Sequence, residues 1–448
     1  MLTIRLPEAV KYIIQTIEDA GFEAYAVGGC VRDSILNREP NDWDITTSAK
    51  PEEVKALFRH TVDTGLQHGT VTVIIQKQNY EVTTYRIDGE YEDGRHPKEV
   101  SFTSQLSEDL RRRDFTINAM AYNDTQGLVD LFGGQEDIKA GIIRCVGDAR
   151  ERFTEDALRI MRAVRFSAQL GYEIELETEK AIKELAPTLS RISVERIQVE
   201  LVKTLVSAHP EYILKMYEMG LTKEFLPEFD IMMETPQNNP HHLYSVGLHT
   251  AKALEQSAPD RMVRLAVLLH DVGKPASKTT DEKGIDHFYS HPNLSAEMTK
   301  KILRRLRFDN DTIDTVSLLV LYHDYGMMVS ATPKFTRKFI HKVRKENFLN
   351  LLEVKCADIS AQSTYQKEEK IQKLEELKKN FEEVIEKDLC VQLKDLAVTG
   401  SDLISAGMKP GKEIGEVLNR LLEVVLEEPE QNDKATLMEY VREWGYIS

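Results

Sequence analysis

Two aspartates one residue apart, Asp42 and Asp44, are the strongest chemical signal in the sequence. On a β-strand, side chains two positions apart point to the same face, so these carboxylates would converge while Trp43 faces the core. Converging carboxylates form the oxygen ligand set that Mg²⁺ prefers. The spacing therefore predicts a magnesium site, with Asp42 and Asp44 as its ligands and as the catalytic pair.

A glycine turn before this pair is suited to an anion. Gly28 and Gly29 follow an apolar strand predicted at Ala24–Val27 and lead into a helix predicted over 31–36. Glycine lets the backbone turn sharply, so that N–H groups can approach a phosphate at the start of the helix. Arg32, in the first helical turn, would add a cation. A phosphate site beside two carboxylates is what nucleotidyl transfer requires.

The order of these segments, GGCVRD and then DWDITT, resembles a known family. It is similar to the nucleotidyltransferase head of the bacterial tRNA CCA-adding enzymes and their poly(A) polymerase relatives. The segment RRDFTINA, at 112–119, resembles another motif of that family. The resemblance implies that Gly29, Arg32 and Arg113 contact the incoming nucleotide.

The arginines at 111–113 precede an Asp-Phe-Thr segment and an apolar run. Taken alone, this pattern predicts cations at the entry of a helix, where triphosphate oxygens can bind. The alternative is a cluster in which the arginines pair with Glu108, Asp109 and Asp114.

A third carboxylate and a loop complete the predicted head. Strands are predicted at 70–75 and 80–85, and the second holds Glu81, a weak candidate for a further metal ligand because a strand Glu usually faces solvent. Residues 86–107, with Asp93 and Arg95, have no clear period and predict a flexible loop. The resemblance associates a loop at this place with completing the CCA end.

One helix is predicted over 153–172, with Thr154 as its N-cap and Gly171 as its end. Asp156 and Arg159 lie three residues apart on it. A carboxylate that accepts and a guanidinium that donates match the amino and ring-nitrogen groups on the Watson–Crick edges of C and A, and not those of U and G. An ordinary intrahelical ion pair is the alternative.

The same helix resembles the EDxxR element of the family, which implies that Asp156 and Arg159 form the base template. Arg162 and Arg165 match further nucleotide contacts of the family.

A second constellation lies beyond a turn-rich linker at 234–240. Within YSVGLHT and LLHDVGKP stand His249 and the adjacent His270 and Asp271, and these motifs resemble the HD phosphohydrolases. Asp358 is the predicted fourth ligand of a divalent transition metal, Mn, Ni or Co. His291 and His323 would extend the site to two metals; isolated histidines on helices are more often ordinary surface or core residues.

The composition argues against several other kinds of protein. The 448 residues have a net charge of −16, which argues against indiscriminate nucleic-acid binding. The sequence shows neither a signal peptide nor a membrane span, and its four cysteines form no CxxC pair, so we expect a cytoplasmic protein with reduced thiols. The oligomeric state stays open.

We therefore expect an α+β chain: a polymerase-β-like head with a small mixed or antiparallel sheet, followed by all-helical domains. The predicted domains are a head (1–145), a neck and body (146–233), an HD domain (241–364) and a tRNA-binding tail (365–448). The expected function is template-independent addition of CCA to tRNA from CTP and ATP, with Mg²⁺. The alternatives are an A-adding enzyme or poly(A) polymerase of the same family, and an HD phosphohydrolase with a non-catalytic RNA-binding head.

Overall fold

The computed structural model describes residues 3–65, 69–88, 100–326 and 329–447. The chain forms two compact units, Met1–Pro227 and Glu228–Ser448. Among the described helices, none combines the length and the apolar character needed to cross a membrane.

The first unit is built on β-strands and short helices. Its strands are β1 (Ala24–Val27), β2 (Asp44–Thr47), β3 (Thr61–Gly65), β4 (Thr70–Ile75), β5 (Gln78–Thr84), β6 (Arg86–Asp88), β7 (Val100–Phe102), β8 (Met120–Asn123), β9 (Gly127–Asp130), β10 (Ile142–Ile143) and β11 (Glu173–Ile174). Its helices are α1 (Glu8–Asp19), α2 (Gly29–Ile35), α3 (Pro51–Leu57), α4 (Leu106–Arg111), α5 (Gly134–Ala140), α6 (Ala149–Glu155), α7 (Leu158–Leu170), α8 (Leu176–Leu185), α9 (Val194–Leu205), α10 (Ile213–Glu218) and α11 (Thr222–Phe225).

A seven-stranded mixed sheet, in the order β3-β4-β5-β2-β1-β8-β9, forms the base of this unit. Strand β2 pairs with β5 in parallel, and the other pairs in the sheet are antiparallel. Strands β4 and β5 are joined by the two-residue turn Gln76-Lys77, in which both residues have positive φ. Such a turn fixes the hairpin register.

Apolar spacing explains the packing of the first helix. Helix α1 buries Val10, Ile13, Ile14 and Ile17, which the sequence places on one helical face. Under the sheet, Tyr25 and Val27 of β1 pack with Tyr85, Leu110 and Ala121. Strands β1 and β8 are buried on both faces, whereas Asp44, at the start of the central strand β2, is exposed.

Several local predictions in this unit are wrong. Strand β2 begins at Asp44, so Asp42 lies in irregular chain before it, and Trp43 is only half-buried. The arginines stand at the end of a helix, because α4 ends at Arg111 and a 3₁₀ turn follows only at Thr116–Asn118. The helix predicted over 153–172 is divided, as described next.

The chain breaks between α6 and α7 at Asp156, whose backbone is extended. The Thr154 hydroxyl donates to the backbone oxygen of Arg150 within α6, so Thr154 is no N-cap. Gly171 ends α7 in a left-handed conformation, as expected. Residues 89–99, with Asp93 and Arg95 of the predicted loop, lie outside the described residues. On either side of them β6 and β7 pair antiparallel, and α4 follows, so the loop predicted over 86–107 is wrong at both of its ends.

The second unit is mostly helical. Its helices are α12 (Pro227–Glu234), α13 (Val246–Glu255), α14 (Arg261–Leu269), α15 (Lys274–Ser277), α16 (His291–Arg305), α17 (Asn310–Tyr322), α18 (Pro333–Val343), α19 (Phe348–Ala361), α20 (Lys367–Glu386), α21 (Gly400–Ser405), α22 (Lys412–Glu427) and α23 (Lys434–Glu443). Its strands are β12 (Lys278–Thr280) and β13 (Asp286–Phe288), which pair as a hairpin. The predicted fold class is confirmed, with a remainder that is mostly rather than wholly helical because of β10–β11 and β12–β13.

Candidate functional site

Three carboxylates lie near one another where the central strand β2 begins. Asp44, the first residue of β2, lies opposite Glu81 of the parallel strand β5. Surrounding protein raises the pKa of Asp44, and so does Asp42, while Arg113 acts in the opposite direction. Burial, Asp44 and Asp42 together raise the pKa of Glu81. The mutual repulsion of these carboxylates would be relieved by a divalent cation, and an all-oxygen donor set fits Mg²⁺.

The glycine turn adjoins these carboxylates and approaches an arginine closely. Gly28 has a φ of +85°, and a Cβ atom placed on it would lie 3.1 Å from Nη1 of Arg113. Nη2 of Arg113 donates to Asp109 at 3.3 Å, whereas its Nε is buried without a hydrogen-bond partner among the described residues. Arg113 approaches the turn this closely only because residue 28 has no Cβ, and a guanidinium held beside a glycine turn is suited to a phosphate oxygen.

The buried carboxylate of Asp109 fixes Arg113 to the sheet. Asp109 accepts hydrogen bonds from Arg112, from Arg113 and from the hydroxyl of Thr46, two residues after Asp44 on β2. Arg111 lies within 3.7 Å of Glu108 and is exposed. Among these three arginines, the structure therefore brings Arg113 to the glycine turn and to Asp44.

A polar chain links the head to α7. Arg162 of α7 donates to Asp114 at 2.8 Å, the Asn118 amide donates to Asp114 at 3.3 Å, and Arg32 donates to the Asn118 oxygen at 2.6 Å. Arg32 is buried, and its guanidinium lies 5.0 Å from the centre of the Phe166 ring. Asp114, Asn118 and Phe166 were not predicted as site residues, although the first two stand four apart in RRDFTINA.

The guanidinium of Arg165 is held by several protein side chains. Its Nε donates to Glu200 at 2.5 Å, its Nη1 donates to Gln169 at 2.8 Å, and its guanidinium lies 3.7 Å from the centre of the Phe166 ring. Arg162 and Arg165 thus stand beside the same ring, each paired with a carboxylate.

The two residues of the predicted base template are not paired with each other. Asp156 accepts from the backbone N–H of Leu158 at 3.0 Å and from Arg196 of α9 at 2.8 Å. Arg159 donates to Glu155 at 2.5 Å and to the backbone oxygen of Arg112 at 3.0 Å. The intrahelical pair is therefore not formed, and Arg196 and Glu155 are partners that the sequence did not indicate.

In the second unit, the predicted histidines and aspartates converge from helices α13, α16 and α19 and from the residues that directly follow α14 and α17. Nε2 of His249 lies 2.9 Å from Asp358, and Nε2 of His270 lies 3.2 Å from Asp271 and 3.7 Å from Asp358. These potential ligand atoms form two groups, one of His249, His270 and Asp358 and one of Asp271, His291 and His323.

The ring orientations favour metal ligation. Nδ1 of His270, His291 and His323 lies 2.7, 2.9 and 2.7 Å from a backbone oxygen three residues earlier in the chain. A proton on Nδ1 leaves the Nε2 lone pair as a ligand, which is the arrangement found around protein-bound metals.

The carboxylate at the centre of the cluster stays ionised. Burial acts to raise the pKa of Asp271, but His270, when both of its ring nitrogens carry protons, and Lys274 hold it well below its ordinary value. A metal ion would take the place of the proton on Nε2 of His270. Among the described residues, neither buried oxygen of Asp271 accepts a hydrogen bond of good geometry, although Nζ of Lys274 lies 2.7 Å from one of them. The buried anion and the nitrogen donors together fit a divalent transition metal in each group.

A cavity of about 760 Å³ opens onto this cluster. Its lining includes Asp271, His291, His323 and Asp358 together with Lys274. A ligand of nucleotide size could therefore reach the cluster from solvent.

A mixed sheet whose central strands carry carboxylates beside a glycine turn and arginines defines a polymerase-type nucleotidyltransferase. The family model described as the poly A polymerase head domain matches residues 24–144. The models for the RNA and SrmB-binding site of polymerase A and for tRNA nucleotidyltransferase domain 2 match residues 171–233 and 277–441.

Comparisons of the whole chain with known proteins identify its family within this class. The chain is 37% identical over 434 residues to the CCA-adding enzyme of Lactobacillus helveticus, covering 96% of each protein. It is 31% identical to the Bacillus stearothermophilus CCA-adding enzyme in complex with CTP, with a TM-score of 0.72 and 98% of each chain covered. The Thermotoga maritima enzyme complexed with tRNA, at 21% identity and a TM-score of 0.61, shares the fold. The chain belongs to the CCA-adding enzymes, which confirms the predicted family and enzyme class.

Protonation of Asp114 should destabilise the first unit. Burial acts to raise the pKa of Asp114, but Arg162 holds it at about 2. A pKa below the unfolded value gives stability that is complete above about pH 4 and is lost as the pH falls towards 2, at most about 2 kcal/mol for this group. In Asp114→Asn that loss should be absent, and the variant should be about 3 kcal/mol less stable at pH 7. Urea denaturation at pH 7 and pH 3 measures both effects.

The exposed carboxylate of Asp124 provides the control. Asp124→Asn should retain the wild-type stability at pH 7 and the wild-type loss at pH 3. Equal acid sensitivity of Asp114→Asn and the wild type would contradict the assignment of the loss to Asp114.

Proposed function

We propose that this enzyme adds C, C and A in turn to the 3′ end of tRNA, using CTP and ATP and releasing pyrophosphate. The observation that supports this most directly is the pair of carboxylates, Asp44 and Glu81, beside the Gly28 turn. The chain that carries them matches CCA-adding enzymes over nearly its whole length. The A-adding and poly(A) polymerase alternatives have the same head chemistry, and none of the comparisons favours them.

Asp42 and Asp44 would hold Mg²⁺, and Glu81 is proposed as a third oxygen ligand. A bound Mg²⁺ lowers the pKa of the RNA 3′-hydroxyl and neutralises triphosphate charge. Arg113 would bind triphosphate oxygens at the Gly28 turn, and Arg32 would hold the geometry of that turn through Asn118. Attack at the α-phosphorus in line with the departing pyrophosphate then depends mainly on positioning and charge neutralisation.

Asp156 and Arg159 are proposed as the groups that read the base. Arg196 holds the Asp156 carboxylate, and Glu155 holds the Arg159 guanidinium. Each template residue is thus oriented by a separate partner, which fixes an acceptor and a donor independently. Arg162 and Arg165, which pack on Phe166, are proposed as further contacts to the nucleotide.

A second activity is favoured by the histidine and aspartate cluster. We propose that His249, His270, Asp271 and Asp358, extended by His291 and His323, hold one or two divalent ions of Mn, Ni or Co. Such ions activate water for hydrolysis of phosphoesters. In this proposal the HD domain occupies 241–364, and the body (146–233) and tail (365–448) contact tRNA.

Loss of one head carboxylate should abolish incorporation. Asp42→Ala removes a predicted Mg²⁺ ligand, so nucleotide incorporation should fall by about 10³-fold or more while the fold is retained. The assay offers labelled CTP or ATP to transcripts ending at the discriminator base, at C and at CC. Wild-type enzyme should use CTP on the first two and ATP only on the third.

Glu39→Ala, which removes an exposed carboxylate three residues earlier, is the matched control and should keep full activity. Incorporation by Asp42→Ala would refute the metal assignment. ATP use on CC alone, or long A tails, would instead identify one of the alternatives.

The base-template proposal predicts a change of selectivity. Asp156→Ala removes the acceptor for the exocyclic amino groups of C and A, so discrimination against UTP should fall by about tenfold or more. Arg196→Met, which frees the Asp156 side chain without deleting it, should give a smaller effect of the same kind. Single-nucleotide kcat/KM values for CTP and UTP test this, and unchanged ratios in Asp156→Ala would refute it.

The cluster proposal predicts bound transition metal. Asp271→Ala should lose most of the Mn, Ni or Co that elemental analysis finds in the wild-type enzyme, while Asp44→Ala should retain it. Phosphodiesterase activity, where present, should follow the metal. His341→Gln, which changes a histidine outside the cluster, is the control. Equal metal content in Asp271→Ala and the wild type would contradict the proposal.

A further inference from the structure

A buried lysine of α19 binds the end of the neighbouring helix α17. Lys355 is 1% exposed, and its Nζ donates to the backbone oxygen of His323 at 2.6 Å and to that of Tyr325 at 2.9 Å. The last backbone oxygens of a helix lack partners within it, and a cation there also interacts favourably with the helix dipole. Lys355 therefore fixes the backbone at which α17 ends.

The surroundings of Lys355 do not explain this lysine by stability alone. A buried ammonium is unfavourable unless it is paired, and an apolar side chain in the same place would avoid that cost. Its hydrogen-bond partners are two neutral oxygens, and its Nζ lies 5.6 Å from the centre of the Phe339 ring. The lysine is better explained by the segment that it holds.

That segment carries a histidine whose ring is repelled by its neighbours. Nε2 of His323 lies 3.3 Å from Nε2 of His291, and Nδ1 of each ring lies against a backbone oxygen. With both protons on Nδ1, the two Nε2 lone pairs face each other and repel. Nε2 of His323 also lies 3.7 Å from the Asp271 carboxylate. A fixed backbone at His323 therefore helps to keep the ring in this position.

Helix α19 also carries a proposed ligand of the other group. Lys355 and Asp358 lie three residues apart on it, and residues at this spacing share a helix face. Nε2 of His249 lies 2.9 Å from Asp358. One turn of α19 thus joins the group that contains Asp358 to the end of α17, where His323 lies.

We propose that Lys355 is a positioning residue of the histidine and aspartate cluster: by binding the end of α17, it keeps His323 in place as an ion ligand together with Asp271 and His291. The inference rests on the proposed metal cluster. Lys355 itself would contact neither ion nor substrate. Its removal should weaken the binding of the ion held by His323 and leave the ion held by His249 unchanged.

The test measures Mn²⁺ binding by calorimetry on the full-length Asp42→Ala/Asp44→Ala protein, since this background lacks the predicted head ion site. His323→Ala identifies the ion whose binding depends on this ligand. Lys355→Met keeps the length of the side chain and removes the donor. It should weaken the binding of that ion by about tenfold or more, the usual effect of losing a group that orients a metal ligand.

Two further variants separate positioning from general stability. In the His323→Ala protein, adding Lys355→Met should weaken Mn²⁺ binding no further, because the lysine acts through this histidine. Leu352→Ala, which truncates a buried apolar side chain three residues earlier on α19, is the control. It should lower the stability of the protein and leave the binding of both ions unchanged.

The outcomes distinguish failure of this inference from failure of the cluster. Where Lys355→Met does not fold, Lys355→Gln replaces it, because its shorter amide keeps a polar group in the buried site. Mn²⁺ binding that the lysine variants leave unchanged, or that Leu352→Ala weakens equally, overturns this inference alone. So does Mn²⁺ binding that His323→Ala does not affect, or a lysine effect that persists in His323→Ala. A parent protein that takes up no Mn²⁺ overturns both the inference and the proposed cluster.

Discussion

The arrangement of the first unit depends on gathering three guanidinium groups around one aromatic ring. Arg32, Arg162 and Arg165 all lie against Phe166, at 5.0, 5.3 and 3.7 Å from its centre. Like charges this close would repel, so each is matched by a carboxylate: Asp33, Asp114 and Glu200. Because these partners come from α2, the segment after α4, and α9, neutralising the arginines also ties the head to the helices that follow it.

The second unit has the opposite charge balance. Carboxylates and histidine nitrogens converge there, and they outnumber the positive charges around them. Lys274 is the nearest one, 2.7 Å from Asp271. Around it, backbone oxygens hold three imidazoles with their Nε2 atoms towards the carboxylate. A protein without a use for such a site would gain stability by replacing it with apolar side chains. The arginine group of the first unit is thus suited to an anionic nucleotide, and the histidine and aspartate cluster of the second unit is suited to divalent ions.

Much of this could be predicted where the signal is local. The bounds of β1 and β4 follow from apolar runs between turn residues, and the motifs of the second unit predict which histidines and aspartates lie close together. The break at Asp156 was missed because apolar spacing continues through it, although an Asp that accepts from an N–H two residues later is a helix-start signal. Partners separated by 86 residues, as in Arg32 and Asn118, or by 40, as in Asp156 and Arg196, exist only once the chain is folded.

The parallel pairing of β2 with β5 has a consequence for folding fidelity. A slip of one residue would turn the apolar face of β5 towards solvent, and packing alone would oppose it. A slip of two residues would keep every side chain on its own face, yet it would move Glu81 by about 6.6 Å along the strand, away from Asp44. The turn at Gln76-Lys77 fixes β5 against β4 and leaves its alignment with β2 to other contacts, among them the bond from the Tyr85 backbone N–H to the Thr47 oxygen at 2.7 Å. The position of Glu81 beside Asp44 therefore depends on this alignment as well as on the burial of the apolar side chains of β5.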